Sequence, residues 1–200
     1  MNLSQWRWIS GFAFVAFLLS GAVVKAQNIE SLDVKKGDTW IYKVTTRLGE
    51  KNRQETVAEV GERITVKVSG DSSLTRVTNK DGNLISAADR TYTPYLEDFD
   101  FPLVPGKEWS QSATLDVNVR RMPVSQSAKV VGWEEVNVPA GTFKALRVEY
   151  STRFGSAGEV KRISWLVPEV RRYIKMETKV YGNIMVEDET VELVKFTPGQ

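Results

Sequence analysis

The stretch YTPYLEDFDFPLVPGKEW, Tyr92–Trp109, gathers the side chains of this sequence best suited to meet another molecule. It carries Tyr92, Tyr95, Phe99, Phe101 and Trp109, the acids Glu97, Asp98 and Asp100, and three prolines. Asp98 and Asp100 are two carboxylates at i and i+2, a pair that could share acid–base work or hold a calcium ion. The same spacing is common on solvated loops, and the glycine and bidentate glutamate of an EF-hand loop are missing. The acids are therefore read as solvated. The aromatics make the segment either a lid that touches a ligand or partner, or a plug for one end of the fold.

Charges at three further positions break otherwise apolar rows: Glu62, Glu134 and Arg172. A charge pointing into a core is costly unless it is paired or wet. Each is thus a polar spot in a cavity or a residue at a strand end that reaches water, and Arg172 is assigned to a concave, ligand-facing surface. Of the doublets Arg120-Arg121 and Arg171-Arg172, strand alternation should turn one member of each outward. The candidate ligand-binding set is Trp40, Tyr42, Tyr92, Tyr95, Phe99, Phe101, Trp109, Trp165 and Arg172.

The sequence has no cysteine and no histidine among its 200 residues. This removes Ser-His-Asp and Cys-His catalysis and metal or haem sites built on either residue. No GxSxG, Walker glycine loop, SxxK or HExxH pattern is present. No catalytic residue, metal or cofactor is assigned, and the protein is read as non-enzymatic.

The N-terminus reads as a secretory signal peptide spanning residues 1–26. Arg7 precedes the apolar run Trp8–Val24, and Val24 and Ala26 occupy the −3 and −1 positions of a cleavage site before Gln27. An uncleaved membrane anchor is the alternative, since this run of 17 residues, which includes Ser and Gly, lies at the lower limit for spanning a bilayer. No cysteine follows the run to carry a lipid. The leader holds Arg7 and Lys25 of the 27 basic residues and none of the 25 acids, so the rest is balanced at 25 of each sign. That balance argues against nucleic-acid binding, which needs a basic footprint. No second apolar run predicts a transmembrane segment, and residues 27–200 are read as a single domain.

The elements that must position the candidate residues have a period of two. In WIYKVTTRL, Trp40, Tyr42, Val44 and Leu48 share a face. TVAEVGERITVKV, Thr56–Val68, alternates throughout and is read as one long strand bent at Gly61, with Ala58, Val60, Ile64, Val66 and Val68 inward. Ala113, Leu115, Val117 and Val119 form another row, and Val170, Ile174, Met176 and Val180 a further one. Strands are also predicted near Leu74–Thr78, Asn83–Ala88, Gln126–Val138, Phe143–Thr152, Val160–Val167 and Val186–Phe196. Asp81-Gly82 marks a turn. Pro139-Ala140-Gly141 predicts a three-residue hairpin loop with Val138 opposite Thr142 and Trp133 opposite Arg147. That register groups Val130, Val136, Val138, Leu146, Val148 and Tyr150, with Trp133 and Phe143 on the other face.

About ten antiparallel strands with one apolar face give an all-β fold, one strongly curved sheet that is an open or closed barrel. A two-sheet sandwich is the alternative. The blocks GDTWIYKV, FPLVPGKEW, VPAGTFKALRVEY, WLVPEVRRYIKME and ELVKF, in that order, resemble an uncharacterised family of exported bacterial β-rich proteins, a domain of unknown function. The likeness covers residues 37–196. The curved sheet also resembles the half-barrels of the LolA and LppX periplasmic lipoprotein carriers. The resemblance implies a protein of the periplasm or cell exterior. The reading is a binder of a lipid or other apolar or amphipathic small molecule, or of an envelope protein. A structural module without a cavity, an outer-membrane barrel and an enzyme are the alternatives.

Overall fold

The computed structural model describes residues 28–69, 74–184 and 186–200. The expected leader, residues 1–26, lies outside the described residues. The described residues form twelve strands: β1 (Thr39–Thr46), β2 (Gly49–Val60), β3 (Arg63–Ser69), β4 (Leu74–Asn79), β5 (Leu84–Ala87), β6 (Arg90–Leu96), β7 (Glu108–Val117), β8 (Arg120–Val138), β9 (Gly141–Phe154), β10 (Gly158–Val167), β11 (Arg172–Gly182) and β12 (Glu189–Thr197). Each pairs antiparallel with its sequence neighbours, and β12 returns to β1, so the sheet closes into an up-and-down barrel. Closure leaves no unpaired edge among the described strands. The all-β class is as expected. The count is twelve and not about ten, and the sheet is a full barrel where the carrier analogy implied half of one.

Two differences account for the count. Thr56–Val68 is two strands, because the chain reverses at Gly61-Glu62 and β2 folds back onto β3. Alternation continues across the reversal, which disguised it. Ala58 is the extra residue of a bulge between Val57 and Glu59, so Val57 is buried while Val60 is exposed. The first part of Tyr92–Trp109 is itself a strand, β6, which carries Pro94. Leu48 and Val119, expected inward, lie at the tips of the β1–β2 and β7–β8 turns and are 89% and 100% exposed.

The β8–β9 hairpin has a two-residue connection, Pro139-Ala140, with Val138 opposite Gly141 and Trp133 opposite Leu146. The predicted register is therefore one residue off. Gly141 enters the ladder as a paired residue. The bulge sits at Val131, between Val130 and Gly132, and a bulge inverts the facing of everything beyond it. Val136 thus pairs with Phe143 and shares its side, instead of opposing it. The hairpin tip reaches β12, where the Ala140 N–H donates to Leu193 O at 2.9 Å. That carbonyl is available because Val194 bulges out of the β1–β12 ladder. The turn after Asn79 forms as expected, with Asn79 Oδ1 accepting from the Asp81 and Asn83 N–H groups.

The inward rows build two apolar clusters. The larger centres on Trp40, Tyr42, Val57, Leu103, Val130, Leu146, Leu166, Ile174 and Leu193. The smaller comprises Tyr92, Leu96, Leu115, Val124 and Phe154. Each large side chain fully withdrawn from water contributes about 1.5–3 kcal/mol. An eight-stranded barrel has an interior that side chains just fill. Twelve strands leave room between the two clusters.

Candidate functional site

The room is a cavity of about 310 Å³ in the barrel interior. Its wall draws from both clusters: Ile64, Val66, Leu166 and Met176 on one side, Leu84, Leu96, Phe154 and Val160 on the other. The polar part of the wall holds Arg76, Arg90, Arg162, Arg171, Arg172, Asp98 and Glu189. Strand alternation explains how arginine comes to face inward. On β10 the inward row is Val160, Arg162, Ser164 and Leu166, and on β2 it is Arg53, Glu55 and Val57.

Glu55 is fully buried, 0% exposed. Its carboxylate meets three guanidiniums: Arg172 at 2.5 Å, Arg76 at 3.1 Å and Arg53 at 3.1 Å. Burial alone would push this carboxyl up. The charges of Arg172, Arg76 and Arg53 outweigh it and hold the group down at about 2. Arg53 also lies 3.6 Å from Glu189 and donates to the Tyr173 hydroxyl at 3.3 Å. Tyr42 stacks on Tyr173 with centroids 5.0 Å apart and donates its O–H to Tyr173 O. Arg172 lies over the rings of Trp40, at 4.9 Å, and Tyr173, at 5.2 Å.

A second polar centre also lines the cavity. Arg162 is paired with Asp98 and lies 4.1 Å over the Tyr150 ring. Arg162 Nε is buried without a hydrogen-bond partner among the described residues. Burial pushes the Tyr42 and Tyr150 hydroxyls up, so both remain protonated donors.

The Glu97–Lys107 connection is anchored along its length. Asn83 grips Phe99 as a neighbouring strand would, accepting from its N–H at 2.7 Å and donating to its carbonyl at 3.0 Å. Glu97 O accepts from Trp109 Nε1 and Gln126 Nε2, and Asp98 O accepts from Tyr150. Leu103 exchanges backbone hydrogen bonds with Ile29. The segment packs Leu103, Phe99 and Phe101 against the larger apolar cluster and presents Asp98 and Phe99 to the cavity.

Of the nine predicted residues, Tyr92, Phe99 and Arg172 lie on the cavity wall. Trp40 and Tyr42 are buried against Arg172 and Tyr173 behind it. Phe101 stacks on Phe99, and Trp109 packs edge-on to Tyr150. Tyr95 is half-buried and off the wall. Trp165 sits on the outer side of β10, next to the inward Ser164 and Leu166. It donates to Glu134 under the cations of Arg147 and Lys175. Glu62 occupies the exposed β2–β3 turn. Asp98, read as solvated, is ion-paired inside, whereas Asp100 pairs with Lys107 at 3.0 Å. Arg171 and Arg172 are both mostly buried, their side chains 20% and 14% exposed. Arg171 has a left-handed φ of 58°, which breaks alternation after the Pro168–Val170 3₁₀ turn. It pairs with the buried Asp38 at 2.7 Å. Sequence reasoning did not single out Arg53, Glu55, Arg76 or Arg162. For Arg162 the available signal was a charge in an alternating row with apolar ends, Val160 and Leu166; Arg53 and Glu55 offered no such signal.

Among the described residues no helix is long and apolar enough to cross a membrane. The outward rows carry Lys43, Lys67, Lys129, Glu149, Lys161 and Lys175, which is unlike the apolar band of a lipid-embedded barrel.

These features define a closed twelve-stranded barrel with a charged lumen, and solved structures share the fold. One is an inferred exported protein with a YmcC-like fold from Bacteroides fragilis NCTC 9343, at a TM-score of 0.52 and 15% identity, covering 86% of this chain and 100% of that one. An inferred lipoprotein from Parabacteroides distasonis ATCC 8503 gives 0.50 and 15%, over 86% and 100%. The hypothetical lipoprotein YmcC from Escherichia coli (K12) gives 0.52 and 12%, over 80% and 85%. No protein-family model matches the chain. No curated protein matches it either.

Proposed function

We propose that this is a non-enzymatic protein of the bacterial cell envelope that holds one amphipathic small molecule inside its barrel. The observation that carries the reading is the 310 Å³ interior cavity, apolar over most of its wall and lined by arginines on the rest. Ligand sites are concave, largely apolar and supplied with a few fixed polar groups. A purely structural barrel has little need to keep Glu55 and its three arginines out of water, because a well-packed apolar core of similar volume is often as stable or more so. Export is supported by the reading of residues 1–26 as a signal peptide and by the exported or lipoprotein character given to the proteins that share the fold.

Native mass spectrometry of the protein purified from its own cells tests this. One small-molecule adduct per chain, released on gentle activation, is the expected result. Ligand-free protein under conditions that preserve other lipid-protein adducts would count against it. Co-purification of a second protein in place of a small molecule would move the function to the outer surface.

A further inference from the structure

We infer that the ligand is a single-chain organic acid whose anionic head is held between Arg162 and the Arg76–Arg172 pair, with its chain against Leu84, Leu96, Phe154 and Val160. This rests on the reading of the lumen as a ligand site and adds the ligand's charge and size.

The charge follows from the inner groups. Arg53, Arg76, Arg162 and Arg172 bring four positive charges to the lumen and its immediate backing, against the three carboxylates of Glu55, Asp98 and Glu189 with which they pair. Arg171 and Asp38 cancel each other. Three guanidiniums share the one carboxylate of Glu55, so their donors exceed the acceptors it offers. Arg162 Nε is a further buried donor with no hydrogen-bond acceptor among the described residues, and a buried donor without a partner is costly. Arginine is the side chain best shaped to pair with carboxylate or phosphate oxygens. A neutral or cationic head would meet the same donors without satisfying them.

The size follows from the volume. A cavity of 310 Å³ lies at the small end of the range of ligand pockets, roughly 300–1,000 Å³, so the ligand is small. That fits a medium-length chain with one acidic head.

Isothermal titration of solvent-delipidated protein with decanoate, decyl phosphate, 1-decanol and decyltrimethylammonium decides the point. The two anions should bind at least tenfold more tightly than the alcohol and the cation, and their ratio tells a carboxylate site from a phosphate site. Arg162→Gln should weaken decanoate at least tenfold and leave decanol unchanged, while Arg162→Lys should recover part of the loss. Equal binding of all four probes would overturn the acid assignment and leave the lumen site standing. Binding of none would overturn both. If Arg162→Gln fails to fold, the four-probe comparison on the unaltered protein still separates an acid site from a neutral or cationic one.

Discussion

Glu55 is the residue on which the interior charge depends. Its carboxyl is held at about 2 against an ordinary value of 4.5. A depressed carboxyl contributes its stability in full above the unfolded value and loses it as pH falls through the folded one. The window is therefore pH 4.5 down to about 2, and the loss is about 3 kcal/mol for a group fully out of water. Urea unfolding between pH 6 and 2 should show this drop, and Glu55→Gln should flatten it. At neutral pH the same substitution leaves three guanidiniums around an uncharged amide. It should cost about 3–5 kcal/mol, read as a lowered urea midpoint. Tyr150→Phe is milder. It removes the 2.9 Å bond to Asp98 O and should cost about 1 kcal/mol. None of these residues stands out in the sequence, since an inward arginine or glutamate obeys the same alternation as an outward one. Arg172 was found because it interrupts a run otherwise apolar. Arg53 and Glu55 lie in GEKNRQETV, where charge is the rule on both faces.

At the scale of elements, the strands announced themselves where one face was apolar and the other wet. This holds for Trp40, Tyr42 and Val44 on β1 and for Ile64, Val66 and Val68 on β3. The reading failed where the local pattern and the chain's path disagree. Gly61-Glu62 turns without interrupting the alternation, Pro94 disguises β6, and Val131 inverts the hairpin tip. These depend on partners across the sheet, which a single strand does not record. Asn83 shows how much such partners matter. Asn83→Ala frees both backbone groups of Phe99. It should cost about 2 kcal/mol, with faster hydrogen exchange at the Phe99 amide and little change at the β8–β9 ladder. Gly158 and Gly182 bring β10 and β11 into close backbone contact, and a Cβ on Gly158 would collide with Tyr181 O. Gly158→Ala should open the end of this pair and lower the melting temperature by several degrees.

For the whole molecule, closure rests on the last strand. β12 pairs with β1 from Thr39–Thr197 to Thr45–Thr190, and Asp38 accepts hydrogen bonds from Gly199 N–H, Lys35 N–H and Arg171. A chain ending at residue 188 would expose β1 and β11 as bare edges. Size-exclusion chromatography should find it as soluble aggregate, not monomer. The seam joins residues roughly 150 positions apart, so the ends must meet late and against a large entropic cost. A polypeptide still being synthesised, or threading through a narrow export channel, has no final tooth for the zip to catch. It stays pliant until its tail arrives, which is the condition any transported barrel must meet.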